Sequence, residues 1–412
     1  MSQILFVTSV FLASRSSSTS SSTSSAYPLI HHAYRARRAR SPATRTLHER
    51  DYHRRPRSGP PTTTPAAMSI FLDFDGTITA QDTIGELASF ALRSHEAGAE
   101  AEGTQKAEQK KHEAALETTD LAAAADDDAE PRGSDLSRAW DEVVRAYVAD
   151  CRAGAAAHHT PPERRTSAAQ EIEFLRALKA VEERSLLRVR RCGLFRGLDD
   201  DALRAAGRRL VRDDGDGDAN VRLRPGFRDF VDRVSGGLGA GAGRWRIYVV
   251  SVNWSAKFIE GAIGYRPERP GGGSGIEVLA NDIRGVNGAV VGPGILGGAD
   301  GKDGVGRVLT NSQDKLEVMQ AVLRRDEDRG LAVAAGPSVY VGDSNTDLEC
   351  LLAADRGIVM ADGPDSALLE TLRRIGRDVP HVREGGAATA GIAWASDFTE
   401  LLDHVDFGGI TR

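Results

Sequence analysis

The sequence predicts an α/β fold: a doubly wound, Rossmann-like parallel sheet core with an inserted all-helical cap and a small β-hairpin. Short apolar runs at 70–72, 246–250 and 338–341 have the length of buried strands and alternate with segments of helical spacing. Such alternation is typical of parallel sheets covered by helices. A long stretch of helical spacing separates the first run from the second, which predicts the cap.

The first strand, 70–72, leads into Asp73-Phe74-Asp75-Gly76-Thr77-Ile78-Thr79. Gly76 ends the strand, because glycine tolerates turn conformations that other residues resist. The two carboxylates, at Asp73 and Asp75, can reach into one cleft where the chain turns, and close like charges repel unless a cation or a shared proton relieves them. Asp-Gly between apolar runs is also a hairpin signal. We favour a catalytic site over a simple turn.

Composition limits the classes of protein that this chain can represent. With 412 residues, of which 40% are hydrophobic, it is long enough for two domains or one domain with an insertion. The net charge of −6 is unevenly distributed, because residues 1–67 contain ten Arg and only two acids and carry about +8, which leaves about −14 for the remainder. A moderately acidic body argues against general nucleic-acid binding. The three cysteines form no CxxC pair and predict reduced thiols in an intracellular protein.

Residues 1–67 predict a disordered or targeting segment, since a Ser/Thr tract, an Arg-rich run and a Pro-rich patch cannot bury enough apolar surface to fold. Arg and Ser richness is compatible with a mitochondrial transit peptide. A secretory signal fits poorly, because no positive charge precedes the apolar stretch 4–13. We prefer Met68 as the initiator, and hence a cytoplasmic protein with a mitochondrial location as the alternative. The chain has no run of 18 apolar residues, so no membrane span is expected.

Residues 82–219 predict the helical cap. Apolar side chains recur at helical spacing from Ile84 to Leu92, and again within 136–147, 172–181 and 198–210. A low-complexity acidic insertion near 95–135 predicts a solvated, partly disordered stretch. The acidic loop 213–218 has alternating carboxylates, but it lacks the glycine and the closing glutamate of a calcium loop and predicts a flexible turn.

Residues 68–81 and 220–412 predict the sheet core. We expect a helix over 227–234, a β-hairpin over 277–291 around Asn287-Gly288, a helix over 315–323, and a strand over 357–360. The Gly-rich stretch 292–306 does not match a phosphate-binding P-loop. In doubly wound sheets, ligands lie beyond the carboxyl ends of the strands, where Asp73, Ser251 and Asp343 fall.

Four signals occur in a consistent order: Asp73-Phe74-Asp75-Gly76-Thr77, Ser251, Lys315, and Gly342-Asp343 with Asp347. Together they resemble the four motifs of the haloacid dehalogenase (HAD) superfamily, over about residues 68–405. Arg224-Pro225-Gly226 and Ala280-Asn281 strengthen the similarity to its phosphoserine-phosphatase-like branch, which includes phosphoserine, phosphocholine and methionine-salvage phosphatases. The first and fourth motifs are specific, whereas Ser251 and Lys315 are informative only through their positions.

The resemblance implies a Mg²⁺-dependent phosphomonoesterase acting on a small phosphorylated metabolite through an aspartyl-phosphate. It implies that Asp73 is the nucleophile and that Asp75 is the general acid and base. The implied phosphate-binding residues are Thr77, Ser251, Asn253 and Lys315, and the implied Mg²⁺ ligands are Asp73, the Asp75 backbone carbonyl, Asp343 and Asp347, the last as a ligand or as support.

Two other functions fit the same motifs. A phosphotransferase or mutase of the superfamily would keep both Asp73 and Asp75, whereas a dehalogenase would lack the second carboxylate. A non-catalytic scaffold that binds a phosphorylated ligand would be expected to have lost a core residue, and none is missing. Asp82 and Arg224 are candidates for substrate contacts.

Overall fold

The fold contains a six-stranded parallel sheet and a separate two-stranded hairpin. The computed structural model describes residues 68–114, 133–158, 160–211, 221–236, 245–264, 276–297, 307–329, 337–384 and 391–407. Their strands are β1 (Met68–Leu72), β2 (Trp245–Val250), β3 (Ile276–Leu279), β4 (Asp282–Arg284), β5 (Ala289–Val291), β6 (Ser338–Gly342), β7 (Arg356–Met360) and β8 (Ile392–Ala395). The large sheet has the order β3-β2-β1-β6-β7-β8, and β4 pairs with β5.

The central strand β1 pairs in parallel with β2 on one side and with β6 on the other. Its alternating side chains pack into two cores, because successive residues of a strand point to opposite faces. Ile70 and Leu72 belong to one buried cluster, whereas Phe71 belongs to the other and stacks on Tyr248 at a centroid distance of 5.1 Å. Both faces of the sheet are therefore covered, which confirms the predicted doubly wound α/β fold.

Eleven α-helices flank these strands within the described residues. They are α1 (Ile84–Ala114), α2 (Gly133–Ala157), α3 (Ala168–Ala177), α4 (Lys179–Cys192), α5 (Asp200–Leu210), α6 (Phe227–Gly236), α7 (Ala256–Ala262), α8 (Ser312–Asp328), α9 (Leu348–Ala353), α10 (Ala367–Arg374) and α11 (Phe398–His404). Helices α1 to α5, called the cap helices below, all lie between β1 and β2 in the chain. No helix of the described ranges is long and apolar enough to cross a membrane.

Ion pairs join cap helices α3 and α4 to the core helices α8, α9 and α10. The pairs are Glu171 with Arg374 (2.8 Å), Arg176 with Glu349, and Lys179 with Asp314 (2.5 Å). All three carboxylates are buried. Buried ion pairs are better at fixing an arrangement than at adding net stability, because desolvation offsets much of their attraction. These pairs therefore fix where the cap helices sit on the core.

The predicted hairpin over 277–291 is wrong in its first strand. Residues Ile276–Leu279 form β3 and pair in parallel with β2, and only 282–291 form the antiparallel hairpin. The chain is redirected at Asn281, whose side-chain amide is fully buried and bonds to both backbone groups of Leu309 at 2.8 Å. The apolar alternation continues across Asn281 without a break, so it does not reveal that the strand before this residue pairs with β2 and the strand after it pairs with β5.

At the start of the predicted acidic insertion near 95–135, α1 continues without interruption to Ala114. Its Ala, Glu, Lys and Gln residues are strong helix formers, so the helix propagates without a continuous apolar face. The helical spacing over 172–181 does not belong to one helix, because α3 ends and α4 begins on either side of Leu178. Strand β8 has no counterpart among the predictions.

Several predictions fall outside the described residues. They are the terminal segment 1–67, the rest of the acidic insertion at 115–132, the acidic loop 213–218, and most of the Gly-rich stretch 292–306.

Candidate active site

The carboxyl ends of three neighbouring strands bring predicted site residues together. Asp73 follows β1, and its N–H donates to the Val341 carbonyl of β6 at 2.9 Å. Ser251 follows β2 and Asp343 follows β6. The strand order reverses between these neighbours, and such a switch point leaves a crevice in which open parallel sheets bind ligands.

Lys315 lies in the first turn of α8 and joins two carboxylates. Its fully buried Nζ is 2.8 Å from Asp73 Oδ2 and 2.7 Å from Asp347 Oδ1. Burial alone would lower the pKa of Lys315, but the two carboxylates raise it above its ordinary value, so the ammonium group is charged. Burial and then the charge of Asp347 raise the pKa of Asp73, while Lys315 acts in the opposite direction. The other Asp73 oxygen accepts a hydrogen bond from the Phe74 N–H at 2.7 Å.

Asp347 is saturated by donors from the protein. Its donors are Lys315 Nζ (2.7 Å) and the Tyr340 hydroxyl (2.7 Å) at Oδ1, and the Asp343 N–H (3.1 Å), the Ser344 N–H (3.0 Å) and the Ser344 hydroxyl (3.2 Å) at Oδ2. Gly342 makes this arrangement possible, because a Cβ there would lie 2.4 Å from Asp347 Cγ. Asp347 therefore holds the lysine and the loop after β6, and has little capacity left for an ion.

Asp343 is positioned by the turn after β1. Its Oδ1 accepts a hydrogen bond from the Thr77 hydroxyl at 3.0 Å. Gly76 has φ +75°, and a Cβ at this residue would lie 2.3 Å from Asp343 Oδ2, so both the backbone conformation and the available room require glycine. Burial and then the charge of Asp347 raise the pKa of Asp343 to about 7.

The carboxylates of Asp73 and Asp343 fit a hard divalent cation. Together with Asp347 they offer oxygens within 4.8 Å of one another, the only such cluster of potential ligands among the described residues. Oxygen donors that repel each other at this distance are relieved by a cation between them, and Mg²⁺ prefers carboxylate oxygens. Because Asp347 is already saturated, Asp73 and Asp343 are the pair that could hold the ion.

Asp75 has a different environment from Asp73. Its Oδ1 accepts hydrogen bonds from the N–H (2.8 Å) and the hydroxyl (2.6 Å) of Thr83, and its Oδ2 accepts one from Asn253 Nδ2 (2.9 Å). Burial raises the pKa of Asp75, and these hydrogen bonds offset only part of the rise. All three donors are neutral, so Asp75 remains easier to protonate than an exposed carboxylate.

Three residues expected at the phosphate contact other protein groups in this structure. The Thr77 hydroxyl donates to Asp343, and the Asn253 amide donates to Asp75 and to Thr83 Oγ1 at 3.0 Å. The fully buried Ser251 oxygen accepts a hydrogen bond from the Asn253 N–H at 3.1 Å. Thr77 and Asn253 thus contact the acidic side chains directly.

Sequence reasoning missed three residues that support these acids: Thr83, Tyr340 and Asn281. Thr83 immediately precedes α1, and a Thr at a helix start is a capping signal that could have indicated a hydrogen-bonding role. Tyr340 lies in β6 and has the pattern of an ordinary buried strand residue. The pair Ala280-Asn281 indicates a family similarity, but it does not predict that the Asn281 amide braces the loops after β2 and before α8.

The acids open into a cleft of about 700 Å³ that is also lined by Asp82 and Arg224. Arg224 Nη1 donates to Asp362 Oδ1 at 2.6 Å, and its Nε donates to the Gly76 carbonyl at 2.9 Å. Asp82 Oδ1 accepts a hydrogen bond from the Ile84 N–H at 2.9 Å. Burial and then the charge of Asp75 raise the pKa of Asp82. Both candidates for substrate contacts therefore face the same cleft as Asp73, Asp75 and Asp343.

Comparisons with known proteins give similar solved structures only. No protein-family model and no curated protein sequence matches the chain. A phospho-aspartyl intermediate analogue of phosphoserine phosphatase has 14% identity and a TM-score of 0.37, and covers 82% of this chain and 98% of its own. A HAD family hydrolase from Salmonella enterica serovar Typhi has 14% identity and a TM-score of 0.34, and covers 74% of this chain and 65% of its own. A protein of unknown function from Bordetella pertussis has 18% identity and a TM-score of 0.30, and covers 76% and 96%.

Two of these structures carry names from the superfamily that the four motifs resemble. At such identities and TM-scores, their activities do not bear on this chain. Any reaction proposed for this chain must therefore be argued from the site residues themselves.

Proposed function

We propose that this chain is a phosphomonoesterase that transfers a phosphoryl group from a small phosphorylated metabolite to Asp73 and then to water. The observation that supports it is the contrast between two carboxylates two residues apart. Burial raises the pKa of both acids, but Asp73 is ion-paired with a buried ammonium group, whereas Asp75 is hydrogen-bonded by neutral donors alone. Two acids in such different environments can divide the roles of nucleophile and proton donor.

In the first step, an Asp73 oxygen forms a bond to phosphorus as the bond from phosphorus to the leaving oxygen breaks. Lys315 holds the other oxygen and keeps the carboxylate in one orientation. Asp75 gives its proton to the leaving oxygen, so the product departs as a neutral alcohol. In the second step, the Asp75 carboxylate takes a proton from a water molecule whose oxygen attacks phosphorus, and the bond to Asp73 breaks to release inorganic phosphate.

Asp73, Asp343 and the Asp75 backbone carbonyl would hold Mg²⁺, with Asp347 as support rather than as a ligand. The ion would neutralise the charge that builds up when a phosphate dianion meets several carboxylates. The Thr77 hydroxyl keeps one Asp343 oxygen in place. Gly76 leaves the space that the other Asp343 oxygen occupies.

The remaining predicted phosphate-binding residues have distinct roles in this proposal. Lys315 is positioned to offset negative charge on the transferring group. The Ser251 oxygen accepts a hydrogen bond from Asn253, so its hydroxyl proton remains for a phosphoryl oxygen. Asn253 instead orients Asp75.

The test of the function is phosphate release by the purified full-length chain from a panel of phosphomonoesters. We expect turnover with Mg²⁺ and a loss of at least about 100-fold with EDTA, restored by added Mg²⁺, because the ion stabilises the transferring group by several kcal/mol. Activity that persists unchanged in EDTA would contradict the metal requirement. Preferential phosphoryl transfer to an added alcohol or sugar would indicate a phosphotransferase, and tight ester binding without turnover would indicate a scaffold.

Asp75→Asn tests the proton donor. We expect a loss of about 10²- to 10⁴-fold for alkyl phosphates, whose leaving oxygen needs a proton. p-Nitrophenyl phosphate has a good leaving group, so the variant should still release one equivalent of nitrophenol in a burst before the slow second step. Stopped-flow absorbance measures the burst, and Asp141→Asn on the exposed side of α2 is the matched control. An equal loss on both esters without a burst would exclude Asp75 as the proton donor.

A further inference from the structure

The cap side of the cleft presents a carboxylate that the proposed reaction does not use. Glu182 on α4 and Tyr147 on α2 both line the cleft, and the Tyr147 hydroxyl donates to Glu182 Oε1 at 2.8 Å. Within the described residues, Glu182 forms no ion pair with a basic side chain. Glu182 is half-buried, and a carboxylate in that position without a counter-ion favours a ligand that supplies positive charge.

The charges along the cleft disfavour an anionic leaving group. Away from the reaction centre, the acidic lining residues are Asp82, Glu182, Asp362, Asp365 and Glu370. Among the described residues of the lining, Arg224 is the only basic one, and it is held by Asp362, Gly76 and the Ser396 carbonyl. A carboxylate or a second phosphate on the substrate would therefore meet repulsion without a dedicated partner.

Aromatic side chains complete the cap side of the cleft. Tyr147 and Trp254 line it, and the edge-to-face contacts of Trp254 with Trp140 (6.2 Å) and Phe195 (5.8 Å) fix its ring. Aromatic rings attract ammonium groups through their negatively charged faces. Glu182 is in contact with one of these rings, that of Tyr147, and a carboxylate in an aromatic-lined cleft favours a cation over a neutral polar group.

We propose that Glu182, oriented by Tyr147, binds an ammonium group on the leaving-group side of the substrate and so selects phosphate esters of amino alcohols that lack a carboxylate. The inference rests on the proposed function, because the phosphate end must lie at Asp73. It makes Glu182 a specificity-determining residue, with Tyr147 as its positioning residue. A phosphorylated amino acid would gain binding free energy at its ammonium group but lose it at its carboxylate.

The ionisation of Glu182 supplies a readout that a purely structural role would not affect. Burial raises the pKa of Glu182 to about 7, and the hydrogen bond from Tyr147 lowers it. The titratable groups facing it from α2 are Tyr147 and Cys151, and burial raises the pKa of both, so neither ionises near pH 7. Across the cleft lie Asp82 on the loop before α1, Asp362 and Asp365 before α10, and Glu370 on α10. Above pH 7, Glu182 is charged and should prefer an ammonium group, whereas at pH 6 it is mostly neutral.

The experiment compares three matched series of esters with the full-length enzyme: ω-aminoalkyl, ω-hydroxyalkyl and ω-carboxyalkyl phosphates of two to four carbons. At pH 8 we expect kcat/KM to favour the amino over the hydroxy ester of the best chain length by about 10- to 100-fold, with the carboxy ester the poorest. The ratio of amino to hydroxy should fall between pH 8 and pH 6. Titrations shared by both substrates, including those of the phosphate and of Asp75, cancel in this ratio.

Variants assign the preference to particular atoms. Glu182→Gln should bring the ratio to within about threefold of unity at every pH. Tyr147→Phe should shift the pH at which the preference appears upward, because the lost hydrogen bond had lowered the pKa of Glu182. Glu183→Gln is the matched control, since the neighbouring side chain on α4 is exposed and should change nothing.

Failure of this inference and failure of the proposed function give different results. Hydrolysis of all three series without an ammonium preference, or a preference that survives Glu182→Gln, would overturn the role of Glu182 and leave the phosphomonoesterase intact. No hydrolysis of any phosphomonoester would refute the proposed function and this inference with it. Calorimetric binding of ω-aminoalkyl phosphonates should also weaken in Glu182→Gln, and unchanged binding would count against the inference.

Discussion

Asp73→Asn is expected to abolish phosphate release, with a loss of about 10⁴-fold or more in kcat. The amide has the shape of the carboxylate but cannot form a bond to phosphorus. The fold should persist, because Lys315 keeps its ion pair with Asp347 and one side-chain oxygen can still accept the Phe74 N–H. Steady-state phosphate release measures the loss, and acid-quenched protein incubated with a ³²P-labelled ester measures the covalent intermediate, which should be present in the wild type and absent from the variant.

The control for Asp73→Asn is Asp328→Asn, an exposed position at the end of α8 where the same substitution should leave turnover unchanged. Activity within about tenfold of the wild type, or a ³²P label retained on the variant, would contradict Asp73 as the nucleophile. The label would then have to be located on another side chain of the cleft.

The positions of Asp73, Asp343 and Lys315 could be predicted from the sequence because each is tied to a local pattern. The two acids follow buried strands, and parallel strands end at the same edge of a sheet. Lys315 begins a run of helical spacing, and its place in the motif order identified it. The structure brings all three together as expected, with Lys315 Nζ at 2.8 Å from Asp73 Oδ2.

The partners of these residues could not be predicted, because they depend on tertiary contacts rather than on local spacing. The bonds from Thr83 and Asn253 to Asp75 join residues 8 and 178 positions apart in the chain. Tyr340 has the buried apolar pattern of a strand, and only the fold shows that its hydroxyl reaches Asp347.

The cap wall of the cleft was also beyond sequence reasoning. Glu182 lies in a charged helical stretch between Val181 and Glu183 and has the pattern of an exposed residue. Its partial burial results from the packing of α4 against α2, where it meets Tyr147. Helical periodicity predicts which face of a helix is apolar, but not which polar residue of that helix borders a cavity.

Lys315→Met is expected to lower both activity and stability. Loss of the positive charge near the transferring group should reduce kcat by about 10²- to 10³-fold. The same change leaves two buried carboxylates without their shared cation, and removing one partner of a buried pair costs about 3 to 5 kcal/mol in the free energy of unfolding. Phosphate release and urea denaturation, both compared with the wild type, measure the two effects.

The pH dependence of this stability loss separates charge from packing. Asp73 already has a raised pKa, and without the ammonium group it should rise further. A carboxyl group with a higher pKa in the folded than in the unfolded state destabilises the fold as pH rises from about 3.9, its ordinary unfolded value, through the raised folded value. The deficit of Lys315→Met should therefore shrink as the pH is lowered from 8 towards 5, whereas a deficit caused by packing alone would not change with pH.

Lys179→Met is the matched control. It also removes a partly buried ion pair at the start of α8, because Lys179 pairs with Asp314, the residue next to Lys315. Lys179 is partly exposed, so we expect a smaller stability loss; turnover should fall less than in Lys315→Met, since the position of α4 is affected but no contact with Asp73 is removed. If the two variants lost equal activity, Lys315 would act by fixing the start of α8 rather than through its charge beside Asp73. A large loss in Lys315→Met alone would assign the effect to the ammonium group between Asp73 and Asp347.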